Sequence, residues 1–143
     1  MSPDDVSAIL ATSPTVAVLG ISASHEKPAH YVPDYLFSVG YRILGVNPAL
    51  AGQTMFAQPV VATLADLTEP IDLLDVFRRA ELIPAHVPEI LAMNPRPRVV
   101  WFQLGIRNDE AAAALEAEGI TVVQDRCTLA DHRRFGLGRP KRR

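Results

Sequence analysis

The apolar residues of this chain come in short runs that each stop at small or polar residues. Val16-Ala-Val-Leu19 stops at Gly20-Ile-Ser22, Ile43-Leu-Gly-Val46 at Asn47-Pro48, Leu73-Leu-Asp-Val-Phe77 at Arg78-Arg79, and Val99-Val-Trp-Phe102 at Gln103-Leu-Gly105. Strands covered on both faces read as continuous hydrophobic runs of this kind, and they belong to parallel sheets flanked by helices. In such sheets ligands gather where the strands end. The ends of these runs therefore outline a nucleotide site.

Between the runs the pattern switches to helical spacing. Ser2-Pro3-Asp4-Asp5 supplies a cap, a first-turn proline and two acids at the positive end of a dipole, which predicts a helix to about Ala11. Tyr31, Tyr35, Leu36 and Val39 recur at helical spacing up to Gly40, and Pro33 is expected in the first turn of that helix. Residues 49–68 read as loop with a short extended piece and one helical turn near Leu64–Leu67. Further helices are expected over Pro84–Met93, from Asn108 to Gly119, and from Cys127 or Thr128 through His132, with a fifth strand at Ile120–Gln124. Strand and helix alternate without internal repeat. This predicts a doubly wound, Rossmann-like α/β fold: a parallel five-stranded sheet, order 3-2-1-4-5, with helices on both faces.

With 143 residues, 48% of them hydrophobic, the chain can bury one core and is too short for two ordinary domains. The reading is one domain over 1–135 and a basic, flexible tail over 136–143. Six of the fourteen basic residues fall within 133–143, which leaves eight against sixteen acids in residues 1–132, near −8. A body that acidic, with no basic stripe beside its aromatics, disfavours nucleic acid. No apolar run approaches the ~20 residues of a bilayer span, nor the core of a signal peptide. Cys127 is the sole cysteine, so no internal disulfide is available and the default location is cytoplasmic.

The strand ends carry the chemistry. Gly20 ends the first run, and the backbone amides of Gly20–Ser24 with the following helix start form a natural phosphate cradle, with hydroxyls from Ser22 and Ser24 and a charge from Lys27. A full dinucleotide fingerprint is absent. The second run ends in Asn47-Pro48 where NAD sites place a ribose-binding carboxylate, so an adenosine bearing an extra phosphate is favoured over plain NAD, with Arg78 and Arg79 near to meet it. CoA and NADP both fit that description.

Gly20-Ile-Ser22 with Lys27-Pro28, Val46-Asn47-Pro48, Asp75-Val-Phe-Arg-Arg79, Val100-Trp-Phe-Gln-Leu-Gly-Ile106 and Asp125-Arg-Cys127, in that order over roughly residues 15–132, resemble the small CoA-binding proteins. These are stand-alone Rossmann-type domains similar to the nucleotide-binding domain of the succinyl-CoA synthetase alpha subunit. The resemblance implies a CoA or acyl-CoA site formed by Gly20, Ile21, Ser22, Ser24, Lys27, Asn47, Pro48, Phe77, Arg78, Arg79, Gln103, Leu104 and Gly105. Gly20 and Ser22 would approach the pyrophosphate and Lys27 would neutralise part of it. Asn47 would face the adenosine, Phe77 would offer an apolar wall, and Gln103 and Gly105 would line the exit of the pantetheine arm. Arg78 could instead pair with Glu81 or Asp75.

The chain lacks the further domains of a CoA ligase, so the function expected is non-catalytic: a carrier, sensor or accessory module. The alternatives are an NADP-linked or thiol-dependent CoA enzyme, or a module that docks to a CoA-ligase subunit. A homodimer or such a subunit is the protein partner these readings allow. Cys127 beside Arg126 at a helix start could be a reactive thiol, though an unpaired cysteine is more often a small core residue. His25, His30, His86 and His132 show no metal-binding spacing, and Cys127 with His132 does not make a nucleophilic pair on one helix. No catalytic residue and no metal ligand is assigned.

Overall fold

A computed structural model describes residues 1–142. Ser2 opens helix α1 (Pro3–Ala11) with a reciprocal cap: its hydroxyl accepts from the Asp5 amide at 3.2 Å and the Asp5 carboxylate accepts from the Ser2 amide. Strands β1 (Thr15–Leu19), β2 (Arg42–Val46), β5 (Leu73–Val76), β6 (Val99–Phe102) and β7 (Thr121–Val123) form one parallel sheet, while β3 (Thr54–Met55) and β4 (Gln58–Pro59) make a separate antiparallel hairpin. The remaining helices are α2 (Pro28–Ser38), α3 (Ile83–Leu91), α4 (Asp109–Glu116) and α5 (Thr128–Arg134).

Strand alternation sorts the core into two layers. Leu19, Val46, Leu74, Val76, Val100 and Phe102 pack with Ile83, Ile90 and Leu115 of α3 and α4. On the opposite face Val16, Val18, Ile43, Leu73 and Trp101 pack with Val6, Leu10, Val32 and Leu36 of α1 and α2, with Leu129 of α5 against them. Helices thus cover both faces, as a doubly wound Rossmann-like domain requires.

The strand order departs from the expected 3-2-1-4-5. It is β2-β1-β5-β6-β7, so the third long run lies beside β1 on the side away from β2. All four residues of β5 are buried, as fits a strand paired on both sides, with β1 and with β6. The slot outside β2 is held instead by a single parallel bridge between Val46 and Val61, within the stretch that reads as loop. A strand reduced to one bridge leaves no hydrophobic run to find, and the run after it takes the next central place.

Pro33 also sits elsewhere than expected. It lies deep within α2, buried, because the helix starts at Pro28. A proline withholds the amide that would bond the carbonyl four residues back. That carbonyl, Ala29 O, takes the Ser22 amide instead at 3.2 Å, so the proline fastens the loop after β1 to the helix.

Beyond α5 the expected tail makes defined contacts. Gly138 O stands 3.0 Å from His132 Nε2, the Arg139 stem lies over Gly40, and the Lys141 amide donates to Ala11 O at 2.8 Å. Arg143 lies outside the described residues.

Candidate functional site

The carboxyl ends of β5 and β6 converge with the start of α2 on a cleft of about 600 Å³. Lys27, Phe77, Arg78, Arg79, Gln103, Leu104 and Gly105 of the sequence-derived set line it, together with Pro28, Ala29, Tyr31, Val32, Ala80, Glu81, Ile106 and Cys127. Gly20, Ile21, Ser22, Ser24, Asn47 and Pro48 do not. The predicted set therefore divides in two.

The β1–β2 half is closed on itself. Gly20 has φ +89°, and a Cβ there would lie 2.6 Å from Phe77 O, so only glycine lets the end of β5 pass this close. Its amide donates to Val46 O, the Ser22 amide to Ala29 O, and the Ser24 amide to Ser22 Oγ at 3.0 Å. These three amides of the expected cradle are thus already bonded inside the protein. Ile21 is fully buried and packs over Gly45, where a Cβ would meet its side chain at 3.0 Å. Asn47 donates from Nδ2 to Ile21 O at 2.8 Å and accepts the Ala49 amide on Oδ1 at 2.9 Å, tying the end of β2 to the loop. His30 Nδ1 lies 2.8 Å from Ser22 O, and its ring stacks on His25 at 4.2 Å.

The β5–β6 half is open. Arg78 Nε donates to His86 Nε2 at 3.3 Å, and a histidine accepting there carries its proton on Nδ1, which stands 3.4 Å from Glu89 Oε1 without the geometry of a hydrogen bond. Arg78 pairs with His86, whereas Arg79 is the arginine near Glu81, at 3.6 Å with both side chains largely exposed. Lys27 is exposed at the start of α2. Leu104 stands 70% exposed as an apolar lip, held by the Gly105 amide donating to Asp125 Oδ1 at 2.7 Å. The cleft thus has a cationic rim and largely apolar walls.

Beneath it lies a group whose site role the sequence reading missed. Asp75, fully buried, registers with Val18 and Trp101 and so faces the α1, α2 and α5 layer. Gln103 Nε2 donates to Asp75 Oδ1 at 2.7 Å and to Thr128 Oγ1 at 2.9 Å, and Thr128 Oγ1 donates to Asp75 Oδ2 at 3.1 Å. Burial pushes the Asp75 carboxyl up to about 7, with the Gln103 and Thr128 bonds pulling the other way. The signal was present: a carboxylate inside an otherwise apolar strand is rare without a specific reason.

The thiol candidate lies at the cleft, and the neighbour proposed to act on it is engaged with another residue. Cys127 is half-buried in the cleft wall, and the Arg126 guanidinium turns away to grip Asp131 at 2.8 and 2.9 Å. His132 is buried elsewhere, its Nδ1 2.7 Å from Tyr35 Oη. Among the described residues no group of three or more His, Cys, Asp or Glu side chains is arranged to hold a metal ion, and no helix is long and apolar enough to cross a membrane.

A parallel sheet between two helix layers, with a cleft at its carboxyl edge, defines a Rossmann-like ligand-binding domain. Residues 14–133 match the CoA binding domain family, and the chain belongs to that family. It is 33% identical over 131 residues to Uncharacterized protein YneT of Bacillus subtilis (strain 168), covering 92% of this chain and 94% of that protein. Among solved structures it is similar to cell-free ID.343 from Thermus thermophilus, with 46% identity, a TM-score of 0.89, and 94% and 98% of the two chains covered. A hypothetical protein from Pyrococcus horikoshii OT3 shares 27% identity at a TM-score of 0.85, over 94% and 92% of the chains.

Proposed function

We propose that the protein binds CoA or an acyl-CoA in this cleft and acts in the cytoplasm as a non-catalytic carrier, sensor or accessory module. The observation that carries the reading is the pairing of a cationic rim, Lys27, Arg78 and Arg79, with apolar walls from Val32, Phe77 and Ile106 at the sheet's carboxyl edge. A 3′-phosphorylated adenosine diphosphate supplies the anions such a rim attracts, and a pantetheine arm suits a mostly apolar cleft. Membership of the CoA binding domain family supports the same ligand. Plain NAD explains the site less well, since β2 ends in Asn47, whose amide is engaged with the backbone, where NAD sites place a ribose-binding carboxylate.

Isothermal calorimetry with CoA, dephospho-CoA and NADPH tests this. CoA is expected to bind more tightly than dephospho-CoA by about tenfold, the worth of one charged hydrogen bond. Micromolar NADPH binding with none to CoA would overturn it. A thiol-dependent CoA enzyme is the second reading, favoured by Cys127 in the wall of the cleft. Unchanged function and redox response in Cys127→Ser would dismiss it.

A further inference from the structure

Both N–H groups of the Gln103 side chain point inward, one to Asp75 Oδ1 and one to Thr128 Oγ1, and the Thr128 hydroxyl closes the ring on Asp75 Oδ2. An ionised carboxylate only accepts, so it requires the amide's nitrogen side and a hydroxyl hydrogen facing it. The side-chain oxygen Oε1 of Gln103 has no partner among the described residues, yet it is not among the sealed polar atoms of the interior, and Gln103 lines the cleft. The oxygen is the polar end that a bound molecule would meet.

We propose that Asp75 and Thr128 are positioning residues that lock the Gln103 amide with its carbonyl oxygen toward the cleft, so that this wall selects a neutral hydrogen-bond donor, such as an amide N–H of a pantetheine arm. The choice of a pantetheine arm rests on the CoA reading above; the lock itself does not. An acceptor at this point repels phosphate, which assigns the anionic part of the ligand to the rim of Lys27, Arg78 and Arg79 and the neutral arm to the wall beside Gln103 and Cys127.

The lock depends on the charge of Asp75. A protonated carboxyl gains a donor of its own, and the flipped amide, oxygen inward, is then satisfied equally well. Burial that places this carboxyl near 7 puts both states within reach. The other titratable groups around this layer are engaged or distinct. On α5, Asp131 pairs with Arg126, and His132 lies between Tyr35 Oη and Gly138 O. On α2, His30 meets Ser22 O and Asp34 is exposed. Strands β1 and β6 bring no titratable side chain, while Lys27 and Cys127 stand at the cleft.

The test has two arms. In the ligand-free full chain, the nitrogen-15 and proton resonances of the Gln103 side-chain NH2 are followed by NMR from about pH 5 to pH 9. They are expected to titrate with a midpoint near 7 in the wild type and to stay fixed in Asp75→Asn. Resonances that do not move, or that move alike in both proteins, overturn the lock, and the wild-type half of this arm needs no variant to fold. In the second arm CoA is titrated calorimetrically at about pH 8 and pH 6. Wild-type affinity is expected to fall on acidification by about 3- to 10-fold more than that of Asp75→Asn, the worth of one hydrogen bond, and the ligand's own titration cancels between the two. Gln103→Met is expected to weaken binding at the higher pH by about the same factor. Equal pH profiles with CoA still bound would overturn the selection and leave the CoA reading standing. A titrating amide in a protein that binds no CoA would support the lock and overturn that reading.

Discussion

The two halves of the sheet's carboxyl edge are built from the same kind of strand end, and they have opposite fates. At β1 and β2, Gly20 bonds to the backbone of Val46, Asn47 to that of Ile21 and Ser22 to that of Ala29 in α2, so these groups tie the strand ends and the helix together. At β5 and β6 Arg79 and Leu104 are exposed, and with Arg78 and the buried Gln103 they border a cleft. A polar residue after a strand is thus a site residue only if the local backbone has not already taken its hydrogen-bonding groups. The comparison implies that damage to the closed half appears first as lost stability, and damage to the open half as lost affinity.

The hardest test of the closed half is Gly20→Val. It imposes a β-branched side chain on a residue at φ +89° and drives Cβ to 2.6 Å from Phe77 O. The left-handed backbone and the overlap together are expected to cost about 3–5 kcal/mol. Urea denaturation reads the loss; a variant within about 1 kcal/mol of wild type would show that the loop and the end of β5 are free to part.

Asp75 is the exception that sharpens the comparison, since it lies beneath the open half yet bears on stability. Its carboxyl sits near 7 in the folded chain, against about 4 when unfolded, so the folded state binds more protons between those values. Stability therefore falls as pH rises from about 4 to 7 and levels off above. Asp75→Asn removes that slope. Its stability relative to wild type is expected to rise by on the order of 2–4 kcal/mol across the window, as read by denaturation at several pH values. Parallel curves would mean that the carboxyl is not held uncharged by burial.

What the sequence disclosed follows from how local each signal is. The helix start at Ser2-Pro3-Asp4-Asp5, the turn at Leu64–Asp66 and the Asn108 cap of α4 rest on neighbours a few residues apart, and they fall where expected. The runs of β1, β2, β5 and β6 were legible because burial on both faces leaves a continuous apolar string. The order of the strands was not, because Val61 contributes a single bridge and has no periodicity to betray it. In the site, Lys27, Phe77, Arg78, Arg79, Gln103, Leu104 and Gly105 share the cleft. Whether Ser22 and Asn47 face a ligand depended on partners at Ala29 and Ile21, one set by the buried Pro33 and the other 26 residues away. Such contacts are products of the fold and have no signature in spacing.

Asn47→Ala sets the scale for the closed half without steric damage. It removes the bond to Ile21 O and the cap on the Ala49 amide, and is expected to cost roughly 1–2 kcal/mol. If the comparison holds, CoA affinity changes less than stability does. A variant of unchanged stability that has lost CoA binding would return Asn47 to direct contact with the ligand.

Arg79→Ala makes the opposite trade and is the smallest effect on the fold. Its contact with Glu81 is 3.6 Å long between side chains 77% and 68% exposed. An ion pair so exposed contributes at most a few tenths of a kcal/mol after screening and side-chain entropy, so the denaturation midpoint is expected to stay within error. The same guanidinium on the cleft rim is free to meet a phosphate in two parallel hydrogen bonds, a geometry a flexible lysine does not reproduce. Affinity for CoA is therefore expected to drop about tenfold while that for dephospho-CoA hardly changes, which assigns Arg79 to the 3′-phosphate. Equal losses for the two ligands would move Arg79 to the pyrophosphate, and no loss for either would leave the contact with Glu81 as its whole role.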